Sequence, residues 1–301
     1  MRPPPARLRT ALAALVTVLT ACGAEPDSPP REVSDGSTAR MDDPWHQVVA
    51  AERAFAAASG ESGGKGAFLR FIDEDGILFR PGPMNGRAAL EAGPEFPGPL
   101  AWTPEVAAVS GDGVLGFTTG PWTLTVGQDV GTGRYTTVWR RTASGEYRFV
   151  LDVGVQGPSM TTIPGELPVR RVPVGAPEPG TERRDVLAAD SAVRAGYSEG
   201  APALAGLAFP AWLQVLRPGR AVESGPVPFL AAVVGAADRG GIRWEVAGSG
   251  DSPDGTLAYV YGMASWSDAP EATPAPFLRI WAREDDGDWQ LLLDLLGLQD
   301  A

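Results

Sequence analysis

The chain has a single histidine (His46), a single cysteine (Cys22) and a single lysine (Lys65) in 301 residues. One cysteine excludes an intrachain disulfide, so disulfide usage says nothing about the redox compartment. One histidine and one cysteine supply no ligand set for a typical zinc site. A Ser-His-Asp triad would have to be built on His46, which has no nucleophile motif nearby. No phosphate-binding loop, dinucleotide fingerprint or acidic calcium loop occurs, so neither a metal nor a cofactor is expected. Lysine is scarce where arginine, alanine, glycine and proline are plentiful, which reads as a compositional bias of the genome and not as a device. Against 25 basic residues stand 37 acidic ones, a net charge of −12. Such a surface repels nucleic acid and anionic lipid headgroups, and no nucleic-acid partner is expected.

What is present is a globular composition, 44% hydrophobic and 21% charged, in a chain with room for two domains of ordinary size. Arg2, Arg7 and Arg9 precede the uncharged run Thr10 to Ala21. That run is too short to span a bilayer as a mature helix and suits a signal-peptide core. The following Leu19-Thr20-Ala21-Cys22 resembles the bacterial lipobox. The resemblance implies that residues 1–21 are a lipoprotein signal peptide, that Cys22 is acylated as the mature N-terminus, and that a lipid anchor holds the protein to a membrane of the cell envelope. In a Gram-negative cell that means the outer membrane or the periplasmic side, and Gly23 after the cysteine favours the outer membrane. Without the leader, 22 basic residues face 37 acidic ones, a net charge of −15. Residues 22–43 are Pro, Ser, Asp, Glu and Gly with almost nothing to bury, a flexible tether.

One hairpin is written twice, from Gly133 to Gly154 and from Pro276 to Gly297. Trp139 falls on Trp281, Gly145 on Gly287, Tyr147 on Trp289, Asp152 on Asp294 and Gly154 on Gly297, with one residue of slack. Each copy is a β-branched and aromatic run, a polar loop holding a glycine, and a second apolar run. Two such hairpins closing segments of similar length imply an internal duplication, with domains at 44–156 and 182–298. Between them, residues 157–181 form a Pro-rich, semi-rigid linker whose only periodic stretch is Val169 to Val174.

In the first copy, Trp45, Val48, Val49, Ala51, Phe55 and Ala58 recur at helical spacing, which predicts a helix from Pro44 to about Ser59 with Asp42 or Asp43 as N-cap. After a glycine-rich break come a short helix from Ala67 to Ile72, a strand from Gly76 to Arg80 stopped by Pro81-Gly82-Pro83, and a short helix from Arg87 to Glu91. Long strands follow at Leu100 to Ser110 and Leu115 to Val126, then the hairpin. The second copy repeats this more loosely: a helical stripe Val186, Ala189, Val193 and Tyr197, a strand and turn at Trp212 to Gly219, a helix from Pro228 to Ala237, and strands at Ile242 to Gly248, Thr256 to Trp266, Phe277 to Arg283 and Trp289 to Leu296. Helices followed by a meander of long antiparallel strands is an α+β order. Val48 to Val153, with Ala51-Glu52-Arg53-Ala54-Phe55, Leu78-Phe79-Arg80-Pro81-Gly82, Asn85-Gly86-Arg87 and Val138-Trp139-Arg140-Arg141, resembles the nuclear transport factor 2-like superfamily in its SnoaL-like and uncharacterised bacterial branches. The resemblance implies two cone-shaped domains, each a curved antiparallel sheet wrapped around N-terminal helices with an apolar pocket. It also implies pairing of the two domains through their sheets.

The site this superfamily uses when it is catalytic is a carboxylate or tyrosine desolvated in an apolar cone, where a raised pKa lets a carboxylate act as a general base. Asp152 and Asp294, each mid-strand in an apolar run, are the candidates. Strict alternation puts Tyr147, Phe149, Leu151 and Val153 on one face and Arg148, Val150 and Asp152 on the other. In the second copy it separates Trp289, Leu291, Leu293 and Leu295 from Gln290, Leu292 and Asp294. Which face looks into the cone is open, and a structural carboxylate bound to backbone or arginine is the competing role. Tyr135, Thr137 and Trp139 share one face of the neighbouring strand, as do Phe277, Arg279 and Trp281. They are either a packed wall or the lining of a ligand pocket. Arg80 and Arg217 read as fixing their turns through hydrogen bonds. Two functions remain: a non-catalytic envelope protein that binds a small apolar ligand or a protein partner, favoured by the lack of an acid and base pair, and a SnoaL-like or ketosteroid-isomerase-like enzyme. A pocket holding a buried Asp beside a tyrosine reverses that preference.

Overall fold

A computed structural model describes residues 43–176, 185–269 and 271–299. Cys22 and the expected leader lie outside them. Helix α1 (Pro44–Phe71) opens with proline in its first turn and with the Asp43 side chain accepting from the Trp45 amide at 3.0 Å. The expected glycine break is a kink inside one continuous run: Gly63 takes φ 78°, a left-handed value that favours glycine. Beyond it, Gly64 has no room for a side chain, because a Cβ there would stand 2.2 Å from the Phe96 ring.

The first sheet holds β1 (Ile72–Phe79), β2 (Pro83–Asn85), β3 (Leu100–Trp102), β4 (Val106–Val109), β5 (Leu115–Val126), β6 (Asp129–Arg141), β7 (Tyr147–Gln156) and β8 (Arg170–Arg171), with α2 (Gly86–Ala92) after β2. Its order is β2-β1-β7-β6-β5-β4-β8, with β3 also on β5. The single strand expected from Leu100 to Ser110 is split, since Thr103-Pro104-Glu105 interrupts it and proline cannot donate to the ladder. From the linker, Arg170 and Arg171 add a parallel strand to β4, and Val172 is buried.

The second domain comprises α3 (Val186–Glu199), a 3-10 turn (Ala201–Leu204), β9 (Gln214–Leu216), β10 (Glu223–Ser224), α4 (Pro226–Asp238), β11 (Ile242–Asp251), β12 (Leu257–Trp266), β13 (Ala275–Arg283) and β14 (Trp289–Leu296). Its sheet runs β10-β9-β14-β13-β12-β11. In both sheets the strand after the first helix lies parallel to the second strand of the closing hairpin, and all hairpin pairs are antiparallel. The structure is α+β, the class that the element order implies, with helices on one face of each sheet. No helix among the described residues is long and apolar enough to cross a membrane.

Three apolar clusters divide the interior. One fills the first cone with Val48, Phe55, Phe68, Trp102, Trp139 and Phe149; another fills the second with Val193, Tyr197, Phe229, Val233, Trp281 and Leu291. The third joins the outer faces of the two sheets, Val138, Leu151 and Val153 from one with Leu278, Ile280 and Leu293 from the other. At one end of this contact, two loops of matching sequence, Ser110-Gly-Asp112-Gly and Ser252-Pro-Asp254-Gly, exchange hydrogen bonds. The Asp112 amide donates to Asp254 Oδ2 at 2.7 Å and the Asp254 amide to Asp112 Oδ2 at 3.0 Å. Such reciprocity is the signature of a two-fold arrangement.

Candidate functional site

The side chains of β7 do not alternate as strict pleating predicts. Val138 pairs with Leu151 but Trp139 with Phe149, so Val150 is the extra residue of a bulge. Tyr147 and Phe149 therefore enter the first cone, while Leu151 and Val153 turn outward to the second sheet. Asp152 comes round to the cone side. The second copy repeats the device with Leu292 as the extra residue, since Ile280 pairs with Leu293 and Trp281 with Leu291. Trp289 and Leu291 face the cone, Leu293 and Leu295 face away, and Asp294 points inward. The expectation that Tyr147, Phe149, Leu151 and Val153 share a face is thus corrected by one inserted residue, as is its counterpart for Trp289, Leu291, Leu293 and Leu295.

The two aspartates meet different surroundings. Asp152 Oδ2 accepts one hydrogen bond, from Thr137 Oγ1 at 2.7 Å. Burial raises its pKa, the Thr137 bond offsets this only in part, and the carboxyl is pushed up to about 6. It lines a cavity of about 420 Å³ together with Phe55, Phe68, Trp102, Trp122 and Tyr135. Tyr135 pairs with Gly154 across the β6–β7 ladder, which places its ring diagonally beside Asp152 on the same face. Among the described residues its buried hydroxyl makes no hydrogen bond of normal geometry, only a weak interaction with Thr118. Burial, with the charges of Glu52 and Asp152, keeps that phenol protonated far above its ordinary range.

Glu52 escaped the reading of the sequence. It is fully buried on α1, where Trp102 Nε1 at 2.5 Å, Trp139 Nε1 at 3.1 Å and Thr118 Oγ1 donate to it. Burial outweighs these donors, and the nearby Asp152 adds to it, so the carboxyl is pushed up to about 7. A signal existed: Glu52 stands four residues after Val48 as Asp190 stands four after Val186, an acid on the apolar stripe of the first helix in both copies. Trp139 and Thr137 support the two carboxylates from behind, and of the three β6 candidates only Tyr135 reaches the cavity.

In the second cone, Arg279 takes the register of Thr137 and fills the interior. Its Nε donates to Asp294 Oδ1 at 2.8 Å and its Nη1 to Asp190 Oδ1 at 2.9 Å, and its guanidinium carbon lies 4.4 Å from the Trp244 ring centroid. Arg217 Nη2 and Tyr197 Oη also donate to Asp294 Oδ2, the latter at 2.6 Å. Burial alone would raise the Asp294 pKa, but Arg217 and Arg279 overcome it and hold the carboxyl at about 2. Asp294 is therefore a counter-ion, and Phe277 and Trp281 are packed core beside it. Arg217 fixes its turn as expected, donating to the carbonyls of Leu216 and Asp294 at 2.9 and 2.7 Å. Arg80 does not: its guanidinium carbon lies 5.6 Å from the Phe96 ring centroid.

The first cavity adjoins a larger space of about 760 Å³, and Phe68, Arg80, Phe96, Asp152 and Gly154 line both. The far wall of that space comes from the second domain, through Trp266, Pro274, Pro276 and Leu298. Among the described residues no three His, Cys, Asp or Glu side chains gather as metal ligands.

No protein-family model matches the chain, and no curated protein matches it in sequence. Solved structures are similar over about one domain's length. A nuclear transport factor 2-like protein of unknown function from Shewanella oneidensis is 17% identical over 36% of this chain and 96% of its own, at a TM-score of 0.31. A ketosteroid isomerase-like protein from Erwinia carotovora atroseptica is 14% identical over 38% and 97%, at 0.30. The Delta 5-3-ketosteroid isomerase of a Mycobacterium species is 18% identical over 35% and 90%, at 0.29.

Proposed function

We propose that the first domain, read as nuclear transport factor 2-like, binds a small apolar molecule through one polar group, and that Asp152 acts there as a proton acceptor. The observation that carries this is Asp152 itself, a carboxylate with one hydrogen bond, pushed up to about 6 in an aromatic cavity beside the weakly bonded Tyr135 phenol. A base with a pKa just below neutral is ionised when needed and strong enough to take a proton from carbon next to a carbonyl. Tyr135 would donate to the carbonyl oxygen as charge develops on it. The second domain, its buried acids neutralised by its own arginines, is a structural partner. Binding without turnover is the second reading, favoured by the presence of one carboxylate in the cavity lining.

A panel of cyclic β,γ-unsaturated ketones separates the two readings by the absorbance of the conjugated product. The expected result is turnover that falls below about pH 6 and drops by about 100-fold or more in Asp152→Asn with binding retained. Binding without turnover in the wild type leaves the passive reading, and absence of binding removes both. We place this domain in the cell envelope on a lipid anchor at Cys22, supported by the leader and lipobox. Cys22→Ser should block processing and lipid labelling, and normal cleavage with unchanged membrane association would refute the anchor.

A further inference from the structure

Arg80 and Arg217 occupy the same Arg-Pro-Gly turn in the two copies. What Arg217 does shows what that position can reach: it binds a carboxylate, Asp294, on the last strand of its sheet. Asp152, the matching aspartate of the first domain, has its hydrogen bond from Thr137 and its pKa is shaped by burial and that bond, with no contribution from Arg80. Arg80 has no hydrogen-bonded or acidic side-chain partner among the described residues, and its guanidinium is exposed over the face of Phe96. It lines both the aromatic cavity and the cleft walled by the second domain, and among the described residues it is the only basic one lining either. Among the same described residues the only acidic one is Asp152. The site therefore has two poles, a desolvated carboxylate inside and a stacked cation at the junction, with apolar surface between them. Arginine binds carboxylate, sulfonate or phosphate oxygens in bidentate fashion, and stacking on an aromatic ring pre-organises it for that task.

We infer that the ligand is an anionic amphiphile: its apolar body fills the first cone and its acid group binds Arg80 at the mouth, beneath the second domain. The inference rests on the reading of the first domain as a ligand site, and the test separates the two. Two fluorescent probes share one ring system, 1-anilinonaphthalene-8-sulfonate with an acid group and N-phenyl-1-naphthylamine without it. Binding of both to the soluble chain from Asp42 onward is measured for the wild type, Arg80→Gln, Arg80→Lys and Leu124→Trp, the last filling the cavity from its wall, which Leu124 lines. The sulfonate should lose about tenfold in affinity in Arg80→Gln, recover in part in Arg80→Lys and weaken with added salt, while the neutral probe is unchanged. Leu124→Trp should displace both. Equal affinity of each probe for wild type and Arg80→Gln overturns the anion inference and leaves the ligand site standing. Failure of both probes to bind, or binding untouched by Leu124→Trp, overturns the site and the inference with it.

Discussion

The two domains place an aspartate at the same bulged register of the same strand and then treat it in opposite ways. In the second, Arg279 stands across the ladder where the first has Thr137. Tyr197 on α3 falls where α1 has Ser59, and Asp190 where it has Glu52. Those changes turn an apolar cone with two carboxyls of raised pKa into a network of two acids, three arginines (Arg194, Arg217 and Arg279) and a phenol. Polar groups in a low-dielectric interior must be satisfied by something. The second domain satisfies its two acids with its own arginines and phenol, leaving Arg279 Nη2 and Trp281 Nε1 without hydrogen-bond partners among the described residues, whereas the first leaves Asp152 with one partner and Tyr135 with none of normal geometry.

The largest expected effect lies in the closed copy. Asp294→Asn removes the charge facing Arg217 and Arg279, and breaking a buried ion pair from one side costs about 3–5 kcal/mol. Denaturant unfolding of that variant measures it, and a loss under about 1 kcal/mol would show that the network is not what closes the cone. Next in size is an attempt to convert one copy into the other. Thr137→Arg should set a guanidinium against Asp152 as Arg279 sits against Asp294, fill the cavity and weaken probe binding by about 100-fold, roughly 2.8 kcal/mol. Retained binding in a folded variant would mean that the register equivalence does not carry over.

Much of this contrast was legible in the sequence, and the remainder was hidden for definite reasons. The α+β order, the four closing strands of the second domain and the last three of the first, Leu115–Val126, Asp129–Arg141 and Tyr147–Gln156, followed from periodicity and turn residues. The facing of Asp152 and Asp294 was not readable, because a bulge at Val150 or Leu292 leaves no mark in an unbroken apolar run, and one extra residue reverses every side chain beyond it. Arg279 carried a signal that went unused: an arginine in the middle of an apolar strand is almost never buried without an acid. The echo of Glu52 in Asp190 was also in plain view, four residues after a valine in each case, but helical stripes draw attention to apolar positions. The loop pair at Asp112 and Asp254 reads as ordinary turn chemistry until the two sheets are seen to meet.

The two copies should also respond to pH with opposite sign. A carboxyl whose folded pKa is raised binds protons more tightly in the folded state, so it weakens the fold as pH rises between its unfolded and folded values. For Asp152 that window runs from 3.8 to about 6, and for Glu52 from 4.5 to about 7. Asp294 is lowered, from 3.8 to about 2, so its contribution is complete above 3.8 and is lost as pH falls through 2. Between pH 4.5 and 7 the first domain should change most, losing on the order of 4 kcal/mol with the larger share from Glu52, while among the described residues the second carries only the raised carboxyl of Glu284 in its hairpin loop. Native-state hydrogen exchange, corrected for intrinsic rates, compares β6 and β7 with β13 and β14 across that range. Equal change in both hairpins would remove the asymmetry, and Glu52→Gln should flatten more of it than Asp152→Asn.

The smallest effect tests what the copies still share. Asp112 Oδ1 accepts from Ser110 Oγ at 2.6 Å and from the Val114 amide at 3.0 Å, and Asp254 Oδ1 accepts from Ser252 Oγ at 2.6 Å and from the Thr256 amide at 3.1 Å. Each aspartate spends its other oxygen on the amide of its counterpart. Asp254 Oδ1 also accepts from Thr256 Oγ1 at 2.9 Å, so Asp254→Ala should cost slightly more than Asp112→Ala, each on the order of 1 kcal/mol, since these bonds lie near solvent. The double variant should cost less than the sum by about 0.5 kcal/mol, because each single change already breaks one bond of the reciprocal pair and loosens the other. Additive costs would mean that the loops act independently. Strongly unequal ones would mean that the two-fold relation stops at the sheets and that the asymmetry of the two cones extends to their contact.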